Sequence, residues 1–337
     1  MKTRMLRNIE VSAIGMGCMG FTHAYGDAPT EQEGIRVVHR AFELGCNFFD
    51  TAEMYSYFKN EEFVGKALKE LPRDKVVISD KFWPTKLPGH DFPEGKLTEA
   101  GIRKALEGSL RRLQTDYIDI YTEHQMEDGS EEEVAYVMGK LIQEGKIRGW
   151  GQSSPTAEQI RKAHAVTPMA AVQSEYSLME RKWEADVLPL CKELGIGFVA
   201  FAPMGNGFLS GKVHAGQAYA KTDIRTVISR FADDNIRANQ PLIDLIHTYA
   251  GEKGCTAAQI SLAWVLRGGE YVVPIPGMRR ESRVIENLGA ADVEITDEEY
   301  GAINAALDDI TIYGTRSSRE IRRIGTVPDN TGEHSLG

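Results

Sequence analysis

The chain has 337 residues, of which 42% are hydrophobic and 26% charged, the balance of a soluble globular protein with a sizeable core. Its formal net charge of −10 argues against nucleic acid and against an anionic membrane surface as partners. No apolar run is long enough to span a bilayer, and the N-terminus MKTRMLRNIEVS lacks an apolar signal core. The four cysteines, Cys18, Cys46, Cys191 and Cys255, form no C-x-x-C pair, so reduced thiols in a cytoplasmic protein are the expectation.

In chain order, residues 3–12 read as a short hairpin able to plug the bottom of a barrel. Short apolar runs then recur at 14–17, 46–50, 75–81, 117–124, 146–151, 170–174, 196–203 and 271–276. Helical patterns lie between them. TEQEGIRVVHRAFELG opens on a Thr30–Glu33 capping box and closes at Gly45. EEFVGKALKEL, EAGIRKALEGSLRRLQ, EEEVAYVMGKLIQEG, AEQIRKAHAV and EADVLPLCKELG follow, and Thr256–Gln259 and Thr296–Glu299 open two more helices.

Strands apolar on both faces and alternating with helices imply a parallel sheet covered by helices. Eight such units predict an α/β (β/α)8 TIM barrel. A doubly wound sheet is the alternative, and GMGCMG does place Gly15, Gly17 and Gly20 at G-x-G-x-x-G spacing. A long polar loop follows them, however, where that fold needs a helix. Residues 204–237, Gly-rich and charged, read as a long loop after the seventh strand. A single barrel domain over 1–310 with an irregular extension over 311–337 is expected.

In such a barrel the C-terminal strand ends face the active site. Asp50, Lys81 and His124 end successive strands, and Tyr55 follows Asp50 on its loop. A lysine beside a phenol favours the phenolate, and a carboxylate keeps the lysine charged. Together they make a proton donor for a polarised oxygen, with the histidine orienting the same oxygen. Metal binding by His124 is a competitor, but no second histidine stands at ligand spacing.

DTAEMY, the lysine of the third strand and the histidine of the fourth resemble the aldo-keto reductase superfamily. The likeness continues through GKLIQEGKIRGWGQSS, AAVQSEYSLMER, FAPMGNGFLSGK and VVPIPGMRRESRVIENLGA, over about residues 4 to 310. The branch it suggests is the bacterial, fungal and plant one with IPG-x-RR near the eighth strand. The resemblance implies reduction of aldehyde or ketone carbonyls by hydride transfer from NADPH. Tyr55 would be the general acid, Asp50 and Lys81 its tuning pair, and His124 the substrate-orienting residue. A cofactor-binding regulatory subunit with little turnover is the other reading that the resemblance carries, and a small carbonyl compound is the expected partner.

By the same resemblance, Ser153, Ser154 and Gln173 would hold the nicotinamide carboxamide and Phe201 would stack on its ring. Gly17, Cys18, Met19, Pro203, Met204, Gly205, Gly207, Leu209 and Gly277 would line the cofactor. Arg279 and Arg283 would hold the 2′-phosphate, with Glu286 and Asn287 at the adenine. Ser154, Met278 and Glu123 depart from residues common in the family; Met278 cannot donate a hydrogen bond. Tyr25, Met54, Phe82, Trp83 and the loop from Gln125 to Asp128 are the expected substrate mouth.

Overall fold

A computed structural model describes residues 1–84, 97–126 and 129–316. Eight parallel strands form one sheet in strict chain order: β3 (Met16–Gly17), β4 (Phe48–Asp50), β5 (Val77–Phe82), β6 (Ile118–Glu123), β7 (Ile147–Ser153), β8 (Ala171–Glu175), β9 (Gly197–Phe201) and β10 (Val272–Pro274). The sheet meets itself at β3 and β10. There Gly15 N–H donates to Pro274 O (2.9 Å) and Gly17 N–H to Pro276 O (3.1 Å). All eight apolar runs are strands, and the fold is a (β/α)8 barrel.

This seam explains the G-x-G-x-x-G match. A Cβ at Gly15 would stand 2.5 Å from the Phe48 ring, and one at Gly17 only 2.8 Å from the Ile275 carbonyl oxygen. The glycines let first and last strands approach. Only a 3-10 turn, Met19–Phe21, follows them, so no dinucleotide-binding helix opens here.

The N-terminal hairpin, β1 (Thr3–Leu6) and β2 (Ile9–Ser12), closes the barrel floor. Leu6, Ile9 and Val11 join Phe48, Val77, Ile120, Val199 and Val273 in an inner apolar cluster. Arg4 donates to the carbonyls of Leu266, Gly269 and Val272, tying the hairpin to the last unit of the barrel.

The helices are α1 (Glu31–Glu43), α2 (Lys59–Leu68), α3 (Glu99–Leu113), α4 (Glu131–Gln143), α5 (Ala157–Val166), α6 (Val187–Leu194), α7 (Asp233–Ala238), α8 (Gln240–Lys253), α9 (Ala257–Arg267), α10 (Glu281–Leu288) and α11 (Asp297–Asp308). Their apolar stripes and the outward side chains of the strands make the larger core, in which Trp150 and Trp264 are fully buried. The three expected capping boxes form, and a fourth opens α5 at Thr156 and Gln159.

Residues 204–237 differ from the loop expected. They carry short 3-10 turns at Gly205–Ser210, Ile224–Thr226 and Ser229–Phe231, then most of α7. The segment docks on the loop after β3, where Ile224 N–H donates to Ala24 O (2.9 Å) and Asn206 Nδ2 to Tyr25 Oη (2.8 Å). The two loops thereby wall one side of the barrel mouth. Of the expected C-terminal extension, residues 317–337 lie outside the described residues, as do Glu127 and Asp128 of the expected substrate mouth.

Candidate active site

A cavity of about 910 Å³ opens at the C-terminal ends of the strands. Asp50 ends β4 at its floor, where side chains of β5 and β8 supply its partners. Lys81 Nζ donates to Asp50 Oδ1 at 2.6 Å and to Thr51 O at 2.6 Å. Ser79 Oγ and Gln173 Nε2 each donate to Asp50 Oδ2 at 2.8 Å. Ser79 was not anticipated, although it stands two residues before Lys81 on β5 and therefore faces the same way. Gln173, expected at the carboxamide, lines the cavity while its amide nitrogen is committed to Asp50.

Tyr55 is aimed by an unusual turn. Ser56, Tyr57 and Phe58 are left-handed, at φ 52°, 45° and 74°. Non-glycine residues adopt this conformation at a cost and only where surroundings enforce it. Here Asn60, fully buried, accepts from Thr51 Oγ1 (2.7 Å) and donates to Cys18 O (3.0 Å) and Thr22 Oγ1 (2.8 Å). Phe58 N–H closes the turn on Glu53 O at 2.7 Å. The Lys81 ammonium lies 5.0 Å from the centre of the Tyr55 ring. The rings of His124 (5.7 Å) and His23 (6.0 Å) meet Tyr55 edge-on. Trp83 meets His124 in the same manner at 5.2 Å.

The electrostatics fix the protonation states. Burial works against the Lys81 charge, but Asp50 and Tyr55 outweigh it and raise its pKa, so it is a permanent ammonium. Burial also raises the Tyr55 phenol, and Lys81 recovers part of that rise. The sequence pointed to a net lowering by the lysine; in the fold, removal from water is the larger effect. Tyr55 is thus a protonated phenol at neutral pH. Burial, then the charges of Lys81 and Arg316, hold His124 well below its ordinary value, and its imidazole is neutral. His124 Nδ1 is buried with no hydrogen-bond partner among the described residues.

Of the expected cofactor residues, Gly17, Met19, Ser153, Ser154, Gln173, Phe201, Pro203, Met204, Gly207, Gly277, Arg279, Arg283 and Asn287 line the cavity. Ser154 turns away from β7 in a left-handed conformation (φ 58°) and its N–H donates to Gln173 O at 2.8 Å. Four others are set off the wall. Cys18 is fully buried and its N–H joins Asp50 O. Gly205 and Leu209 pack inward beneath the turn they shape, and Glu286 is paired with Arg283. Arg279 donates to Tyr25 O (3.0 Å) and Asp27 O (2.9 Å), clamping the loop after β3. Met278 is fully buried.

Of the expected substrate residues, Tyr25, Met54 and Trp83 line the cavity, with Gln125 and Met126. Phe82 does not. It follows Lys81 on β5, so the strand turns it outward, against Tyr121 at 5.3 Å. Glu123 likewise accepts from Gln152 on the neighbouring strand (3.4 Å).

The structure also brings in Arg280 of the IPG-x-RR segment and four residues that the sequence did not single out: His23, Lys212, Arg225 and Arg316. The lysine and arginines among them, with Arg279 and Arg283, make the cavity strongly cationic in a chain of net charge −10. Arg280 precedes α10, whose first turn has no side-chain cap and presents N–H groups beside these arginines. Among the described residues no cluster of His, Cys, Asp and Glu could hold a metal ion, and no helix is long and apolar enough to cross a membrane.

The Aldo/keto reductase family profile matches residues 13–308, and the chain belongs to that family. It is 39% identical to a probable aldo-keto reductase of Glycine max over 92% of this chain and 89% of that one. Its fold matches a glycerol dehydrogenase from Gluconobacter oxydans with TM-score 0.81 at 28% identity, over 92% of this chain and 96% of the other. An aldo/keto reductase from Klebsiella pneumoniae, solved with NADP and acetate, matches with TM-score 0.68 at 30% identity, over 89% and 93% of the two chains.

Proposed function

We propose that this protein reduces aldehydes or ketones to alcohols with NADPH, Tyr55 acting as the general acid. The observation that carries the reading is the grouping of Tyr55 with the saturated Asp50–Lys81 pair at a cavity that several arginines also line. The cavity volume and the arginines beside the open turn of α10 fit a dinucleotide bearing an extra phosphate. When bound, the reduced nicotinamide supplies the hydride.

The chain's own residues do the rest. Phe201 offers a ring face for stacking, and Ser153, Ser154 and Gln173 offer polar groups for a carboxamide. Gln173 does this while it also orients Asp50. Tyr55 holds a proton at neutral pH, and neutral His124 is a second hydrogen-bonding group for a carbonyl oxygen. As the Tyr55 proton leaves, the Lys81 ammonium stabilises the phenolate. Lys81 keeps that charge because Asp50 is held by two further donors and cannot turn away. Trp83, Met54 and Tyr25 give the mouth an apolar surface suited to aliphatic or aromatic carbonyl compounds.

Tyr55→Phe tests the assignment. NADPH oxidation with an aldehyde panel should fall by roughly two to four orders of magnitude, the usual contribution of a positioned proton donor. Cofactor affinity, followed by nucleotide fluorescence, should stay close to that of the unmodified protein. Unchanged turnover in the variant would remove Tyr55 from the mechanism. Slow turnover in the unmodified protein across the whole panel would instead favour a cofactor-sensing subunit.

A further inference from the structure

One cation in the cavity has no part in the chemistry above. After α11, residues 310–316 return over the barrel top as a strap. Paired hydrogen bonds fix its course. Asn239 Nδ2 donates to Tyr313 O and Tyr313 N–H to Asn239 Oδ1, both at 2.9 Å. Thr315 N–H donates to Ser229 Oγ (2.9 Å), which donates to Thr315 O (3.1 Å). Between them Gly314 is left-handed (φ 79°), and a Cβ there would lie 2.7 Å from Arg230 N, so the strap is pressed onto the loop beneath. Arg316 follows and enters the cavity wall.

Its guanidinium carbon stands 4.9 Å from the centre of the Phe201 ring, a cation–π distance. Phe201 packs on the inner barrel cluster, and it borders the cavity beside Arg316. The Arg316 charge reaches both Tyr55 and His124, which line the same cavity. The hold is weak. Glu175 is 3.9 Å away and already accepts from Arg230 at 2.6 Å. Arg316 Nε is buried with no hydrogen-bond partner among the described residues.

We propose that Arg316 is a built-in occupant of the nicotinamide place. It covers the face of Phe201 on which the cofactor ring would stack, and the dinucleotide binds by displacing it. The proposal rests on the reading of Phe201 given above. A displaced but tethered guanidinium stays near the ring. It therefore disfavours the oxidised nicotinamide, which is cationic, more than the reduced one, which is neutral.

The test compares Arg316→Ala and Arg316→Gln with the unmodified protein by equilibrium binding of NADPH, NADP+ and 2′,5′-ADP, the last lacking a nicotinamide. Removing a cation–π contact of ordinary strength should tighten NADPH binding about three- to tenfold in both variants. NADP+ should tighten by a larger factor, and 2′,5′-ADP should bind equally in all three proteins, which also shows that the variants are folded. Equal or weaker NADPH binding in the variants, with 2′,5′-ADP unchanged, overturns the occupant role and leaves the reductase reading standing. If no protein binds NADPH or 2′,5′-ADP, both readings fall.

Discussion

The two faces of β5 treat buried charge in opposite ways. On the inner face, Lys81 meets a single carboxylate, Asp50, at 2.6 Å, and Ser79, Gln173 and Thr51 O satisfy the remaining atoms. On the outer face, Asp80 joins Glu53 and Glu61, all fully buried, around one guanidinium. Arg112 donates to both Glu61 oxygens at 2.6 and 3.1 Å and stands 3.9 Å from Glu53. Burial, then Glu53, pushes the Asp80 carboxyl up to about 7, and burial, then Asp80, lifts Glu61 well above the usual range. Adjacent residues of one strand thus supply a fixed charge for chemistry and a proton-holding carboxyl for packing. Matched partners, not depth of burial, make the difference.

The comparison can be broken at three points. The largest effect is expected from Lys81→Met, which takes the fixed charge from the inner face. Turnover should fall by about a thousandfold, the scale of a lost proton-transfer partner, with 2′,5′-ADP binding unchanged. A steady-state loss below tenfold would mean that the inner pair is structural.

Arg112→Met comes next. It leaves the outer carboxyls without their guanidinium and should cost about 3–5 kcal/mol in urea unfolding, while the folded fraction keeps its kcat. A cost under about 1 kcal/mol would mean that those carboxyls hold their protons and scarcely use the arginine.

The smallest effect belongs to Asp80→Asn and shows as a pH dependence. Asp80 is protonated in the fold up to about pH 7 but ionises near 4 in the unfolded chain. Between those values the folded state binds more protons, so the contribution of Asp80 to stability falls as pH rises through that window. The variant should gain on the unmodified protein by about 1 kcal/mol or more between pH 4 and pH 8. A flat difference would place the shared proton elsewhere in the cluster.

The inner face was legible in the sequence and the outer one was not. Strand ends are marked by the change from apolar run to polar residue, which picked out Asp50, Lys81 and His124. All eight barrel strands followed from the same signal. Glu53, Asp80 and Arg112 sit among ordinary charged residues, and nothing local says that their side chains are buried. Phe82 sits at the same strand end as Lys81, but the alternation of the strand turns it away from the cavity. Helix α8 buries a stripe of only Leu242, Ile246 and Ala250, too sparse to mark a helix in the sequence. Ser79 is reached by stepping two residues back from Lys81, whereas the role of Arg316 depends on contacts across the barrel top, which spacing along the chain does not record.

The bond from Gln173 to Asp50 joins residues 123 positions apart. As the chain leaves the ribosome, Asp50 and Lys81 emerge long before Gln173, and the seam between β3 and β10 forms only after Pro274 and Pro276 are made. For most of synthesis the acid–lysine pair has no closed barrel to exclude water from it. Reductase competence should therefore switch on late and all at once, and a half-length product would carry Tyr55 and its neighbours without their tuned acidity.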